Sequence, residues 1–237
     1  MSARTLFVTG TDTGIGKTHA ACALLARARR EGRKVCGYKP VASGCETTPQ
    51  GLRNADALAL QAAAGTREPY ARINPYAFAP AIAPHLAARE AGEPVRVSRL
   101  MEAHAELAAR HELVVVEGAG GWLVPLNEDL SFGGWAAQQG WPVLLVVGLR
   151  LGCLNHALLS AEAIGRRAWL AGWIANVLPP EMDRLDENIE ALREHLSAPC
   201  WGVLPPGGDA VAAIDAEQLR RFIDTPEPPA DPETEGL

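Results

Sequence analysis

A glycine-rich segment near the start of the chain limits what it can fold into more than any other feature. Residues 10–18 read GTDTGIGKT and lie between an apolar strand-like run, Thr5–Thr9, and a helical pattern, Thr18–Arg30. In such a unit, backbone N–H groups and the helix N-terminus surround a phosphate, the lysine reaches its outer oxygens, and the next hydroxyl meets magnesium. The spacing departs from the usual loop, because five residues rather than four separate Gly10 from Gly16. A glycine-rich turn without a ligand is the alternative interpretation.

The rest of the chain continues the alternation of short apolar runs and longer helical patterns. Continuously apolar strands separated by helices indicate a parallel sheet that is covered on both faces. We therefore predict an α/β fold of the phosphate-loop NTPase type, with one doubly wound, mostly parallel sheet and helices on both faces, over residues 1–224. Later strands are predicted at Val35–Tyr38, Leu113–Glu117, Val143–Gly148, Trp169–Asn176 and Trp201–Leu204, and later helices at Ala55–Ala64, Ser98–Arg110, Trp135–Gln139, Asn155–Arg167 and Asp183–Leu196.

Composition excludes several classes of function. The net charge of −6 and the lack of a basic run argue against a nucleic-acid or anionic-membrane partner. No apolar run is long enough to cross a membrane, and five cysteines without a C-x-x-C pair fit a reducing compartment, so we expect a cytoplasmic protein. The Pro/Glu-rich end, residues 225–237, is predicted to be a disordered, solvated tail.

Lysine is rare in this chain. Only Lys17, Lys34 and Lys39 occur among 22 basic residues, and the others are arginines. Lys39 follows the second predicted strand, directly before a proline, so it should lie at the same sheet edge as Lys17. Two compact ammonium groups near one anionic centre would explain why arginine did not replace them.

Two carboxylates complete the candidate site. Glu117 is placed at the carboxyl end of an apolar strand, before a Gly118–Gly121 turn, where phosphate-loop proteins hold magnesium. Asp56 opens a predicted helix and is either a second carboxylate of the site or a residue favoured there by the helix dipole.

His85, in Ala83–His85, is expected in a loop that approaches substrate.

At this point the chain resembles the dethiobiotin synthetase family, whose members use ATP to close a ureido ring. The resemblance extends to about Pro206, and the extra residue of the phosphate loop is also typical of that family. It is carried by Phe7–Thr18 (FVTGTDTGIGKT), Gly37–Gly44 (GYKPVASG), Gly51–Leu60 (GLRNADALAL), Val114–Trp122 (VVVEGAGGW), Val143–Ala157 (VLLVVGLRLGCLNHA) and Ala171–Asn176 (AGWIAN).

The resemblance implies a homodimer that binds ATP, Mg2+, CO2 and 7,8-diaminononanoate and forms a substrate carbamate that is then phosphorylated. Lys17 and Lys39 would be catalytic, and Thr18, Asp56 and Glu117 would hold magnesium. The nucleotide would contact Thr13, Gly14, Ile15, Gly16, Lys17, Thr18, His19, Asp56, Glu117, Gly118, Ala119, Gly120, Asn176, Val177, Pro205, Pro206 and Gly207. The diamine would contact Thr11, Ser43, Glu117 and Gly120, and its carboxylate would contact Gly152, Cys153, Leu154 and Asn155 from the partner subunit.

Some positions depart from the family pattern. Gly14 stands where some members have glutamate, and Val177 where aspartate is frequent, so side-chain roles there are lost. Cys153 is read as a packing residue, with a catalytic nucleophile as the alternative. Two rival functions stay open: a dimerising switch ATPase that shares this loop, and another ATP-dependent amide-forming ligase.

Overall fold

A computed structural model describes residues 3–225. The strands are β1 (Arg4–Gly10), β2 (Val35–Tyr38), β3 (Val41–Ala42), β4 (Glu46–Thr48), β5 (Gly51–Arg53), β6 (Tyr76–Ala77), β7 (Leu113–Gly121), β8 (Val143–Leu149), β9 (Leu170–Val177) and β10 (Cys200–Leu204). The helices are α1 (Lys17–Arg30), α2 (Ala55–Ala64), α3 (Tyr70–Ile73), α4 (Pro84–Glu90), α5 (Val97–Ala108), α6 (Phe132–Gln138), α7 (Cys153–Gly165), α8 (Leu185–His195) and α9 (Ala216–Asp224).

One parallel sheet organises the fold, as predicted. Its strand order is β10-β9-β8-β1-β7-β2, so β1 is central and pairs with β7 on one side and β8 on the other. Along the chain, β2 and β7 are added on one side of β1, and β8, β9 and β10 on the other. The strand order therefore reverses at β1, and ligands of such sheets bind beyond the carboxyl ends of the strands at this point.

The core lies on both faces of the sheet. Phe7 of β1 packs in the same buried cluster as Trp135 and Trp173, whereas its neighbours Leu6 and Val8 pack in a second cluster that includes α1 and α9. A strand whose alternate side chains are buried on opposite faces is uniformly apolar. This is why the strands could be located from their composition.

The segment between β2 and β7 was predicted only in its two longer helices, α2 and α5. It contains a two-stranded parallel pair, β3 with β6, and an antiparallel hairpin, β4 with β5, together with α3 and α4. Strands of two or three residues are too short to show a period of their own. This segment covers the end of β2.

Two expectations about individual residues are wrong. Glu117 is not at the end of its strand, because β7 continues to Gly121, with Val8 opposite Glu117 and Gly10 opposite Gly121 across a register irregularity. His85 is not in a loop, because α4 begins at Pro84, a residue that favours the first turn of a helix. From residue 226 onward, the predicted tail lies outside the described residues.

Candidate active site

The end of β2 and the middle of β7 bring a lysine and a glutamate together. Tyr38, the last residue of β2, pairs with Val116 of β7. The residues that follow this pair are Lys39 and Glu117. Lys39 Nζ donates to Glu117 Oε1 at 2.5 Å, and the two side chains are 5% and 1% exposed. Such burial excludes a role as a solvated surface pair and is costly unless both charges are compensated.

Asp56 also contacts this lysine. Its Oδ2 accepts from Lys39 Nζ at 3.0 Å, although the Asp56 side chain is 44% exposed. Asp56 lies in the first turn of α2, whose N-cap is Asn54, with Asn54 Oδ1 accepting from the backbone N–H of Ala57. The two interpretations of Asp56 are therefore compatible, since it is a helix N-terminal acid and also faces the ammonium of Lys39.

The phosphate loop reaches the same carboxylate. Thr18 Oγ1, in the first turn of α1, donates to Glu117 Oε1 at 2.9 Å. Glu117 Oε1 thus accepts from both Thr18 and Lys39, whereas Glu117 Oε2 is buried and has no hydrogen-bond partner among the described residues. A buried carboxylate oxygen without a partner is costly, so this oxygen is available to a ligand.

The backbone of the phosphate loop is held from the other side by Asn176, at the end of β9. Asn176 Nδ2 donates to the carbonyl of Ile15 at 2.9 Å. Gly16 has a φ of 89°, and a Cβ there would lie 2.1 Å from Asn176 Nδ2, so only glycine fits. Lys17 Nζ donates to the carbonyl of Asp12 at 2.8 Å, across the loop. These two contacts fix the loop directly before the N-terminus of α1, which supports the phosphate-binding interpretation over an unliganded turn.

Lys17 and Lys39 lie in different electrostatic environments, which shift their pKa values in opposite directions. Burial, reinforced by the nearby Lys39, lowers the pKa of Lys17 to about 8. Burial would also lower the pKa of Lys39, but the Glu117 and Asp56 carboxylates outweigh it and raise that pKa above its ordinary value. Burial would raise the pKa of Asp56, yet the Lys39 ammonium prevails and lowers it. Lys39 is thus a cation at neutral pH, and the pKa of Lys17 lies much closer to neutrality.

The donor set fits magnesium. The cation prefers carboxylate, hydroxyl, phosphate and water oxygens. Glu117 Oε2 is buried and unpartnered, Glu117 Oε1 accepts from the Thr18 hydroxyl, and Asp56 accepts from the Lys39 ammonium. Within residues 3–225 no group of three His, Cys, Asp or Glu side chains converges. A bound magnesium would therefore need oxygens from a phosphate and from water.

The remaining predicted residues lie in the phosphate loop, in α1, after β3, or at and after the ends of β7, β9 and β10. Thr11 donates its backbone N–H to Val146, Ile15 is a core residue, and Thr13, Gly14 and His19 are exposed. Gly118, Ala119 and Gly120 continue β7, Val177 ends β9, and Pro205, Pro206 and Gly207 follow β10. Ser43 follows β3, and its carbonyl accepts from Asn54 Nδ2 at 3.4 Å.

The Gly152–Asn155 segment opens α7 as predicted. Gly152 is its N-cap with a φ of 95°, and Cys153 is 2% exposed, which supports a packing role for the thiol. The N–H of Cys153 donates to the carbonyl of Arg150, so this amide is not free, contrary to the expectation that it would face a carboxylate. The amides of Leu154 and Asn155 follow it in the first helical turn.

Sequence reasoning missed three residues that support the site. Asn74 Nδ2 donates to the carbonyl of Lys39 at 2.7 Å, and Tyr70 Oη donates to Asn74 Oδ1 at 2.9 Å. Arg150 Nη2 pairs with Asp12 Oδ2 at 2.5 Å and so joins the loop before α7 to the phosphate loop. None of these contacts follows a helical or strand period, and an Asn-Pro pair at Asn74 was the one local sign of a special backbone position.

Comparison with known proteins gives a consistent family assignment. A family profile described as "AAA domain" matches residues 4–213. An ATP-dependent dethiobiotin synthetase BioD from Pseudomonas aeruginosa (strain UCBPP-PA14) is 56% identical over 215 residues, which are 90% of this chain and 94% of that protein. The protein of the same name from Xanthomonas euvesicatoria pv. vesicatoria (strain 85-10) is 50% identical over 218 residues, 91% of this chain and 97% of its own length.

Solved structures with low sequence identity share the fold. The MinC:MinD cell division protein complex of Aquifex aeolicus matches with a TM-score of 0.53 at 14% identity and covers 97% of this chain and 99% of that one. The cell division protein ftsY of Thermotoga maritima matches with a TM-score of 0.52 at 18% identity and covers 93% and 68%. At this identity the match concerns the fold alone and confirms the phosphate-loop NTPase architecture.

Proposed function

Because the chain belongs to the ATP-dependent dethiobiotin synthetase family, we propose that it converts 7,8-diaminononanoate, CO2 and ATP into dethiobiotin, ADP and phosphate in biotin biosynthesis. The chain is therefore a ligase that closes a ring. The observation that carries the proposal beyond the family name is the placement of Lys39 between Glu117 and Asp56, beside the lysine of the phosphate loop.

The reaction needs three bond-forming steps. One amine of the substrate attacks CO2 and loses a proton, which gives a carbamate. A carbamate oxygen attacks the γ-phosphorus of ATP and ADP leaves, which gives a carbamic-phosphoric anhydride. The second amine attacks the carbonyl carbon and loses a proton, the phosphate leaves with the carbamate oxygen, and the ureido ring closes.

The chain's own charges suit the second of these steps. Two anions must approach each other, so catalysis depends on positioning and on neutralising charge. Lys17 would bind the transferring phosphoryl group, and Lys39 would bind the carbamate and the charge that develops on it. The backbone N–H groups of the Gly10–Thr18 loop would hold the remaining phosphate oxygens, as glycine-rich loops before a helix N-terminus do.

Glu117, Asp56 and Thr18 would hold magnesium, with Glu117 Oε2 as the oxygen that lacks another partner. Bound there, the cation would neutralise phosphate charge and orient the γ-phosphoryl group. The nucleotide base would lie between Asn176 and the Pro205–Gly207 loop, which follow neighbouring strands.

We also propose a homodimer in which α7 of one subunit completes the site of the other. Leu151 is 95% exposed directly before Gly152, and Leu158 and Leu159 are exposed on α7. Large apolar side chains exposed on and beside one helix favour an interface between protein chains. There the first amides of α7, from Leu154 and Asn155, would bind the substrate carboxylate.

We propose from the state of the cysteines that the protein works in the reducing environment of the cytoplasm. All five lie within the described residues and are free thiols, with Cys36, Cys45 and Cys153 buried. No helix in residues 3–225 combines the length and apolarity that a membrane span requires.

The two rival functions are not favoured by the relatives. A switch ATPase would hydrolyse ATP without the diamine, and another ligase would act on a different amine. One incubation separates the three: purified protein with 7,8-diaminononanoate, bicarbonate, ATP and Mg2+, followed by mass spectrometry of the products. We expect one ADP per ring-closed urea, and ATP turnover that ignores the diamine would reject the proposal.

A further inference from the structure

A chain of hydrogen bonds connects the two residues that flank the reacting centre through a segment that the sequence did not single out. The backbone N–H of Asn54 donates to Tyr70 Oη at 2.7 Å, Tyr70 Oη donates to Asn74 Oδ1 at 2.9 Å, and Asn74 Nδ2 donates to the Lys39 carbonyl at 2.7 Å. Asn54 is the N-cap of α2, the helix that carries Asp56. These hydrogen bonds thus connect the N-terminus of the helix that carries Asp56 to the backbone carbonyl of Lys39.

The direction of each bond is fixed by chemistry. Both hydrogens of the Asn74 amide are used, because Nδ2 also donates to the carbonyl of Tyr76 at 3.0 Å. Asn74 Oδ1 can only accept, so the Tyr70 hydroxyl must donate to it and accept from Asn54. A buried network in which every member is satisfied is rigid, and Asn54 and Asn74 are 7% and 3% exposed.

The backbone of Lys39 has a second attachment to the same segment. Its N–H donates to the carbonyl of Ile73 at 2.8 Å, so the N–H and the C=O of Lys39 are both bound by consecutive residues of α3 and its C-cap. The Tyr70 ring is held in turn by the Arg53 guanidinium, whose central carbon is 4.2 Å from the ring centroid. Tyr70 is therefore fixed at both its ring and its hydroxyl.

We infer that the Tyr70 hydroxyl and the Asn74 carboxamide are positioning residues that set the Lys39 ammonium relative to Asp56 and Glu117. This inference rests on the proposed function for the reaction that it serves. Lys39 must neutralise charge at one point, and a displacement of about 1 Å can cost about 100-fold in rate. A four-carbon side chain gains precision only if its backbone is held, and Asn74 holds it.

The test compares Tyr70→Phe with Tyr76→Phe. The first variant removes the hydroxyl between Asn54 and Asn74 and leaves the ring in place. The second is a matched control, because the Tyr76 hydroxyl is also hydrogen-bonded, accepting from the N–H of Arg96 at 3.0 Å, but has no part in the chain to Lys39.

The first readout is independent of activity. In protein labelled with 13C-lysine only three lysine side chains are visible, and the signals that disappear in Lys34→Arg and in Lys39→Arg are those of Lys34 and Lys39. The two ε-protons of a fixed lysine differ in chemical shift, and motion averages them. We expect this difference for Lys39 to shrink in Tyr70→Phe and to persist in Tyr76→Phe. An unchanged Lys39 signal in Tyr70→Phe would overturn the inference, whatever the protein catalyses.

The second readout is kinetic. We expect Tyr70→Phe to lower kcat for ring closure about tenfold, with KM for ATP within about twofold of the parent value, while Tyr76→Phe keeps kcat within about twofold. In a Lys39→Arg background Tyr70→Phe should have little further effect, because it acts through Lys39. Full additivity of the two changes would contradict the inference. Absence of product from the parent protein would reject the proposed function and leave the spectroscopic result to decide the inference.

Discussion

The ammonium of Lys39 and the carboxylate of Glu117 form a buried ion pair at 2.5 Å, and the hydroxyl of Thr18 donates to the same carboxylate oxygen. This links β2, β7 and the phosphate loop through one atom, Glu117 Oε1. The other oxygen, Oε2, stays without a partner in the described residues and is left for a ligand. The positions proposed for substrate activation and nucleotide binding are therefore adjacent, because β2 and β1 are both neighbours of β7.

Replacing Lys39 with arginine should abolish most activity although it keeps the charge. The Lys39 side chain is 5% exposed and lies between two carboxylates, and a planar guanidinium is larger and imposes its own donor geometry. We expect kcat to fall by about 100-fold or more. Lys34→Arg, at an exposed position before β2, is the matched control and should stay within about twofold of the parent. Equal effects in steady-state assays of the two variants would contradict the steric argument.

Removing the Lys39 charge should destabilise the fold, and removing the Glu117 charge as well should restore part of the loss. A buried pair that loses one partner costs about 3–5 kcal/mol, because the other charge remains unpaired. We expect Lys39→Met to lower the free energy of unfolding by about 3 kcal/mol and Lys39→Met/Glu117→Gln to be more stable than the single variant. Urea unfolding at neutral pH measures both. A double variant as unstable as the sum of the single changes would show that the pair is not coupled.

Nucleotide binding should take up protons at alkaline pH. The pKa of Lys17 is lowered to about 8 by burial and by Lys39, and phosphate bound beside it would raise that pKa. Binding therefore favours the protonated lysine, and near pH 8 about half a proton should be taken up per ADP. Affinity should fall by up to about tenfold per pH unit above pH 8. Titration calorimetry in two buffers of different ionisation enthalpy tests this, and pH-independent affinity from 7.5 to 9.5 without proton uptake would contradict it.

Stability should decrease as the pH falls below 6.5 because of a core histidine. Burial lowers the pKa of His104 to about 4, and its Nε2 lies 3.0 Å from Thr5 Oγ1. Between pH 6.5 and 4 the unfolded chain binds a proton that the folded chain does not, so unfolding becomes easier as the pH drops. We expect a loss of about 2 kcal/mol between pH 7.5 and 5.

The matched control for this histidine is His104→Gln, which keeps a hydrogen-bond acceptor without titrating in this range. Urea unfolding should show a nearly flat stability for it between pH 7.5 and 5. A slope as steep as that of the parent protein would assign the effect to other groups.

The residues of the site that could be predicted are those that follow strands. Lys39 comes directly after β2, and Lys17 and Thr18 follow the glycine-rich loop after β1. Parallel strands bring their carboxyl ends to one edge. Glu117 was found for the same reason, even though β7 continues past it to Gly121. The local sequence pattern and the topology of a parallel sheet were therefore sufficient to predict these four residues.

Tyr70 and Asn74 could not be predicted in the same way. Asn74 binds the carbonyl of a residue 35 positions away, from a C-cap in a segment whose strands are two or three residues long. Such contacts are set by tertiary packing and leave no periodic signal. Helix α9 is different: it was not predicted, although Leu219, Phe222 and Ile223 follow a helical spacing behind the N-cap Asp215.

The most direct measurement follows an oxygen atom. In the proposed reaction an oxygen of CO2 attacks the γ-phosphorus and leaves with phosphate when the ring closes. With 18O-labelled CO2, freshly supplied, mass spectrometry should find one 18O atom in the inorganic phosphate for each molecule of dethiobiotin formed. Unlabelled phosphate would mean that no carbamate oxygen is phosphorylated, and it would contradict the roles proposed for Lys17 and Lys39.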